Sequence, residues 1–149
     1  MDCLEINSHI ISRKLDFLNH YLNHLESFRF IVLADYLKNS HTQLVVERLL
    51  HLASEVALDV NLHLLNSLGI SQTKKDCDLF LEISKYDILE LELAENLESL
   101  NRLRNQLIYL YDEIDPVQVY NRIELALQEY PKYQRQIIQY LDPLEDDRG

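Results

Sequence analysis

The sequence predicts an all-α chain, and three observations carry that expectation. Leu dominates an apolar fraction of 47%, only two Gly and three Pro are available for tight turns, and β-branched alternation is scarce. At 149 residues the chain is expected to form one domain over 1–149 with a buried core. An acidic tail begins at about Asp142. The architecture expected is an antiparallel bundle of four main helices plus one or two short ones.

The first helix is expected to start at Asn7 or Ser8, either of which can cap it, and to run to about Arg29. Ile11, Leu15, Leu18, Leu22 and Leu25 form its apolar stripe. Residues 30–38 read as a short helix or a single turn. Ser40 or Thr42 is the expected cap of a second long helix, which reads through Leu68 and ends at Gly69, a residue that adopts the left-handed conformation without strain. Leu44, Leu49, Leu52, Val56, Val60 and Leu64 supply its helical period. The main loop covers 70–76. A short helix from Cys77 to Tyr86 then buries Leu79, Phe80 and Ile83, and Asp87-Ile88-Leu89 breaks it.

Glu90 opens the next helix, which runs toward Tyr111 with Leu93, Leu97, Leu100, Leu103 and Leu107 inward. Asp115-Pro116 is a strong helix start, an N-cap carboxylate followed by proline in the first turn. The final helix runs from Pro116 toward Leu141, and Pro131 is expected to kink or split it.

The formal net charge of −11 opposes unaided binding of nucleic acid, whose affinity comes mainly from Lys and Arg. A phosphate-rich ligand would need a local basic cleft; Arg102 and Arg104 are the densest basic pair, and Arg48 is a further candidate. The acidic surface equally suits a basic protein partner. Cys3 and Cys77 have no metal-binding or redox spacing, so a reduced, cytoplasmic chain is expected. No apolar run approaches the roughly 18 residues of a membrane span, and the N-terminus, with Asp2 and Glu5, lacks a basic signal-peptide start.

Two polar rows lie on the helices. Asp16, His20 and His24 recur at four-residue steps, a spacing able to bind metal, although no further ligand is identifiable and a solvated face explains them better. Glu47, His51, Glu55, Asp59 and His63 form a longer stripe of the same period. An acid–base pair within it is one reading; a solvated or dimer-facing stripe is the preferred one.

The richest stretch runs from Leu103 to Pro116. Arg104 and Tyr111, seven apart, share one helical face, and Asn105 and Tyr109, four apart, share the adjoining one. An Arg beside polar groups on an apolar helix can hold a phosphate bidentately, or pair with a carboxylate such as Asp112 or Glu113. The order Arg104, Asn105, Leu107, Ile108, Tyr109, Tyr111 and Asp112-Glu113-Ile114-Asp115 resembles the signature of the HepT-like proteins. These are ribonuclease toxins of the HEPN superfamily that pair with MNT-type nucleotidyltransferase antitoxins. Glu47 to Ala53, Ala57 to Asn61 and Asp115 to Tyr120 extend the resemblance along the chain. One position departs: Tyr109 stands where the family has His.

The resemblance implies a HEPN-like helical domain and a homodimer whose two motifs meet in a cleft. It implies metal-independent RNA cleavage with no cofactor. Carried over by position, Arg104 is the phosphate clamp, Asn105 its polar neighbour, Tyr109 the occupant of the catalytic position, and Tyr111 the acceptor of AMP from the antitoxin. A free phenol titrates near pH 10, so at neutral pH about one in a thousand is ionised, a handicap of roughly 4 kcal/mol for a general base. Activity is therefore in question. Two functions stand: a ribonuclease toxin, natural or disarmed, and a non-catalytic helical module that partners a nucleotidyltransferase.

Overall fold

The computed structural model describes residues 8–70, 79–109 and 115–148, the side chains of 103–109 and 144–148 excepted. Helix α1 (Ser8–Glu26) buries Ile11, Leu15, Leu18, Leu22 and Leu25, the stripe its spacing predicts. It ends at Glu26 rather than near Arg29, because the N–H groups of Ser27, Phe28 and Arg29 bond three residues back instead of four and tighten the chain into turns. Arg29 then bridges two carboxylates, Glu26 at 2.9 Å and Glu124 at 3.1 Å.

Helix α2 (Leu33–Lys38) buries one residue, Tyr36, whose ring packs 5.4 Å from that of Tyr120. Helix α3 (Ser40–Ser67) is capped by Asn39, not by Ser40 or Thr42. Asn39 has the extended backbone a cap requires, and its side chain accepts from the Thr42 N–H at 3.0 Å, so Thr42 is the donor that is capped. Leu44, expected inward, is 66% exposed in the first turns, where α3 has little to pack against on that side. At the far end Gly69 has φ +77°, its N–H bonds the Asn66 carbonyl, and the Ile70 N–H bonds the Leu65 carbonyl. That pair of bonds is the left-handed helix stop expected of Gly69.

Helix α4 (Leu79–Ser84) turns Leu79, Phe80 and Ile83 inward. Cys77, expected to open it, lies outside the described residues. The break at Asp87-Ile88-Leu89 is present, with Asp87 at φ +61° and both aliphatic residues buried. Helix α5 (Leu91–Tyr109) buries Leu93, Leu97 and Leu100. Helix α6 (Pro116–Arg148) starts as expected: Asp115 Oδ1 accepts from the Val117 N–H at 2.9 Å.

Pro131 does not split α6, which runs unbroken to Arg148. The proline removes one backbone donor, but the residues around it are fixed by tertiary contacts. Tyr130 and Tyr133 are buried, Gln134 donates to the Leu15 carbonyl at 3.2 Å, and Asn96 donates to Glu129.

The long helices α1, α3, α5 and α6 form the bundle, with α2 packed on α3 and α6 and α4 packed on α3 and α5. One core joins them, from Leu18 and Leu64 through Phe80 and Leu97 to Ile137. Polar bonds tie it internally. The Tyr133 phenol shares its proton between the Ala57 carbonyl at 3.0 Å and Asn61 Oδ1 at 2.6 Å. Burial holds that phenol well above the usual range.

Candidate functional site

The motif begins in the last turns of α5. Residues 103–109 continue the helix, so the backbones of Arg104, Asn105 and Tyr109 lie on one element at helical spacing. The side chains of Arg104, Asn105 and Tyr109, and the whole of Tyr111, lie outside the described residues.

The support beneath these positions is well defined. Asn101, one turn below Arg104, is fully buried and its amide oxygen accepts from the Ser54 hydroxyl of α3 at 2.9 Å. Asn105 follows Asn101 by four residues and so continues its face. Arg102 turns outward and pairs with Glu98 at 3.0 Å, so the expected basic pair divides: its first member is already engaged by a carboxylate. Arg48 is exposed on α3.

The register of α5 against α6 is fixed at two levels. Gln136 of α6 accepts from the Glu90 N–H at 2.9 Å, and two turns along, Asn96 donates to Glu129. Moving up α5 therefore corresponds to moving down α6 at the same rise. Continuing seven residues beyond Asn96 and Glu129 brings Leu103 and Arg122 level. Arg122, which the sequence reading did not single out, shares its helical face with Val119, Ala126 and Glu129, all three buried. It is half-buried, and its Nε is closed off from solvent without a hydrogen-bond partner among the described residues. Only the α5–α6 register reveals its place.

The polar stripe on α3 divides into separate roles. His51 lies 3.3 Å from Glu55, and Asp59 pairs with Lys14 of α1 at 2.7 Å. Glu47 is partly buried, and burial raises its carboxyl above the ordinary range. The phenol of Tyr36 has no hydrogen-bond partner among the described residues, and burial raises it as well, with the charge of Glu47 adding to the effect. A groove of about 400 Å³ between α1 and α3 is lined by Tyr21, Leu52, Glu55, Val56, Leu58, Asp59 and Leu62. It carries carboxylates and no cation, which unsuits it to phosphate. On α1 the rings of His20 and His24 meet edge to face at 4.8 Å. Among the described residues no three His, Cys, Asp or Glu side chains converge as a metal site, and no helix is long and apolar enough to cross a membrane.

Comparison with known proteins agrees with the motif. Residues 18–138 match the family described as ribonuclease HepT-like. The chain is 44% identical over 138 residues to a tRNA nuclease HepT of Aphanizomenon flos-aquae, covering 93% of this chain and 94% of that protein. Its fold is similar to that of YutE, a cytosolic protein of unknown function from Bacillus subtilis. The TM-score is 0.78 at 19% identity, over 93% of this chain and 92% of that one.

Proposed function

Because the chain belongs to the HepT-like ribonuclease family, we propose that it is the RNA-directed toxin of a toxin–antitoxin pair, with tRNA as its substrate class. The observation that supports this most is the 44% identity to a tRNA nuclease along nearly the whole of both chains. The helix that carries Arg104, Asn105 and Tyr109 puts them on one regular element, as such a site needs. In this reading the guanidinium of Arg104 binds the scissile phosphate and stabilises the charge that builds on it during attack by the ribose 2′-hydroxyl. Asn105 adds a neutral hydrogen bond. No metal is required, because the Arg supplies the positive charge.

Tyr109 is the weak point. A phenol donates a hydrogen bond well but accepts a proton poorly near neutral pH, so cleavage should be slow. One motif supplies few groups for a phosphate, and a symmetric homodimer would place two of them in one cleft. An MNT-type nucleotidyltransferase would silence the site by adding AMP to Tyr111, placing a phosphodiester charge and a base where RNA must lie.

The second reading, a non-catalytic partner of that nucleotidyltransferase, is favoured by Tyr109 alone. Expression of the chain with and without Tyr109→His, alongside tRNA cleavage assays on the purified proteins, separates the two. The toxin reading expects Tyr109→His to arrest growth and to raise cleavage by orders of magnitude. A Tyr109→His protein that dimerises yet neither cuts tRNA nor slows growth would leave the non-catalytic reading.

A further inference from the structure

Among the described residues three Lys or Arg side chains are half-buried: Lys14, Arg29 and Arg122. The first two are held by carboxylates, Lys14 by Asp59 at 2.7 Å and Arg29 by Glu26 and Glu124. Arg122 has no carboxylate and no hydrogen-bond partner among the described residues, and its Nε is shielded from water. In a chain with 25 Asp and Glu against 14 Lys and Arg, a half-buried arginine with a shielded Nε and no carboxylate beside it among the described residues is unexpected. Desolvating an arginine without pairing it is unfavourable, so a buried unpaired donor calls for an explanation.

Its position supplies one. Arg122 lies two turns from Glu129 on the same face of α6, the face that meets α5 through Asn96. The α5–α6 register sets it level with Leu103, at the turn of α5 that carries Arg104. We propose that Arg122 is a second phosphate-binding residue of the RNA site, contacting a backbone phosphate neighbouring the one assigned to Arg104. This rests on the ribonuclease reading above and extends it from α5 to α6. It also answers the charge problem: a body of net charge −11 can hold RNA locally where a guanidinium is kept clear of carboxylates. The planar fork of Arg suits a phosphate better than a lone ammonium would.

The test measures binding of unmodified tRNA to the full-length chain across a salt series, with Arg122→Gln, Arg122→Lys and, as a control on the same helix, the exposed Arg135→Gln. Loss of one phosphate contact should lower the slope of log affinity against log salt by roughly 0.7 to 0.9. Arg122→Gln should show that fall and bind roughly tenfold more weakly at moderate salt. Arg122→Lys should restore the slope, and Arg135→Gln should keep both slope and affinity. Thermal melting and sedimentation accompany each variant. Wild-type binding with an unchanged slope in Arg122→Gln overturns this inference and leaves the ribonuclease reading standing. A change in oligomeric state in Arg122→Gln without a change in slope also overturns it, assigning the guanidinium to a protein contact. A wild-type chain that binds no tRNA overturns the ribonuclease reading and this inference with it.

Discussion

Ser54 of α3 donates its hydroxyl to the amide oxygen of Asn101 on α5 at 2.9 Å, a buried bond between two helices one turn below Arg104. The Asn101 Nδ2 has no partner, so the hydroxyl is the one group satisfying that amide among the described residues. Ser54→Ala is expected to lower stability by about 1–3 kcal/mol, the cost of leaving a buried acceptor unpaired. Removing both groups with Ser54→Ala and Asn101→Leu should recover part of that loss. Urea midpoints of the single and double variants beside wild type check it, and a Ser54→Ala midpoint equal to wild type would mean the bond contributes nothing.

Buried phenols set the alkaline limit. Burial raises Tyr133 and Tyr36 well above the ordinary phenol range. Unfolded tyrosines lose their protons near pH 10, whereas these two retain theirs when folded. Their contribution to stability is therefore complete below pH 10 and declines as pH rises beyond it, because the unfolded state then binds fewer protons than the native one. Absorbance titration of the nine tyrosines should show the buried ones ionising only together with loss of helix. A single reversible wave near pH 10 with the helix signal intact would contradict this.

Glu47 has the same kind of consequence at lower pH. Its folded carboxyl titrates above the ordinary value because burial disfavours the charge. It therefore favours the fold at low pH, and that advantage is lost as pH rises through the raised value. Glu47→Gln should raise the melting temperature at pH 7 and change it little at pH 4. A lower melting temperature at pH 7 would show that the carboxylate has a favourable partner.

The motif itself makes a paired prediction. In the Tyr109→His background, Arg104→Ala should abolish tRNA cleavage while leaving the melting temperature nearly unchanged. A large loss of stability without a change in cleavage would restore Arg104 to a purely structural ion pair. If the toxin–antitoxin proposal holds, incubation of the chain with an MNT-type nucleotidyltransferase and ATP, followed by peptide mapping, should place AMP on Tyr111. Modification of Tyr109 instead would show that the extra phenol misdirects the transfer.

The helices were legible in the sequence wherever period and punctuation agreed. The Leu stripe of α1, the stop at Gly69 and the start at Asp115-Pro116 each rest on local chemistry, which a sequence displays directly. Errors arose where tertiary contacts decide. Leu44 has the correct period but no neighbour to bury it, and Pro131 is carried through α6 by the packing of Tyr130 and Tyr133. The motif could be read as a string of residue types. Arg122 could not, since its meaning comes from how two helices are aligned rather than from any spacing along one.

The packing of α5 against α6 also orders events in time. The pairs Glu90 with Gln136 and Asn96 with Glu129 join a helix finished at Tyr109 to one that runs to Arg148. At roughly 5–20 residues per second, synthesis of that last helix takes about two to eight seconds after the motif has been made. Throughout that interval α5 has α3 and α4 to pack on but not α6, and Arg122 is not yet alongside it. The α5–α6 contact can therefore close only after Gln136 has been made, well after the motif on α5 has left the point of synthesis.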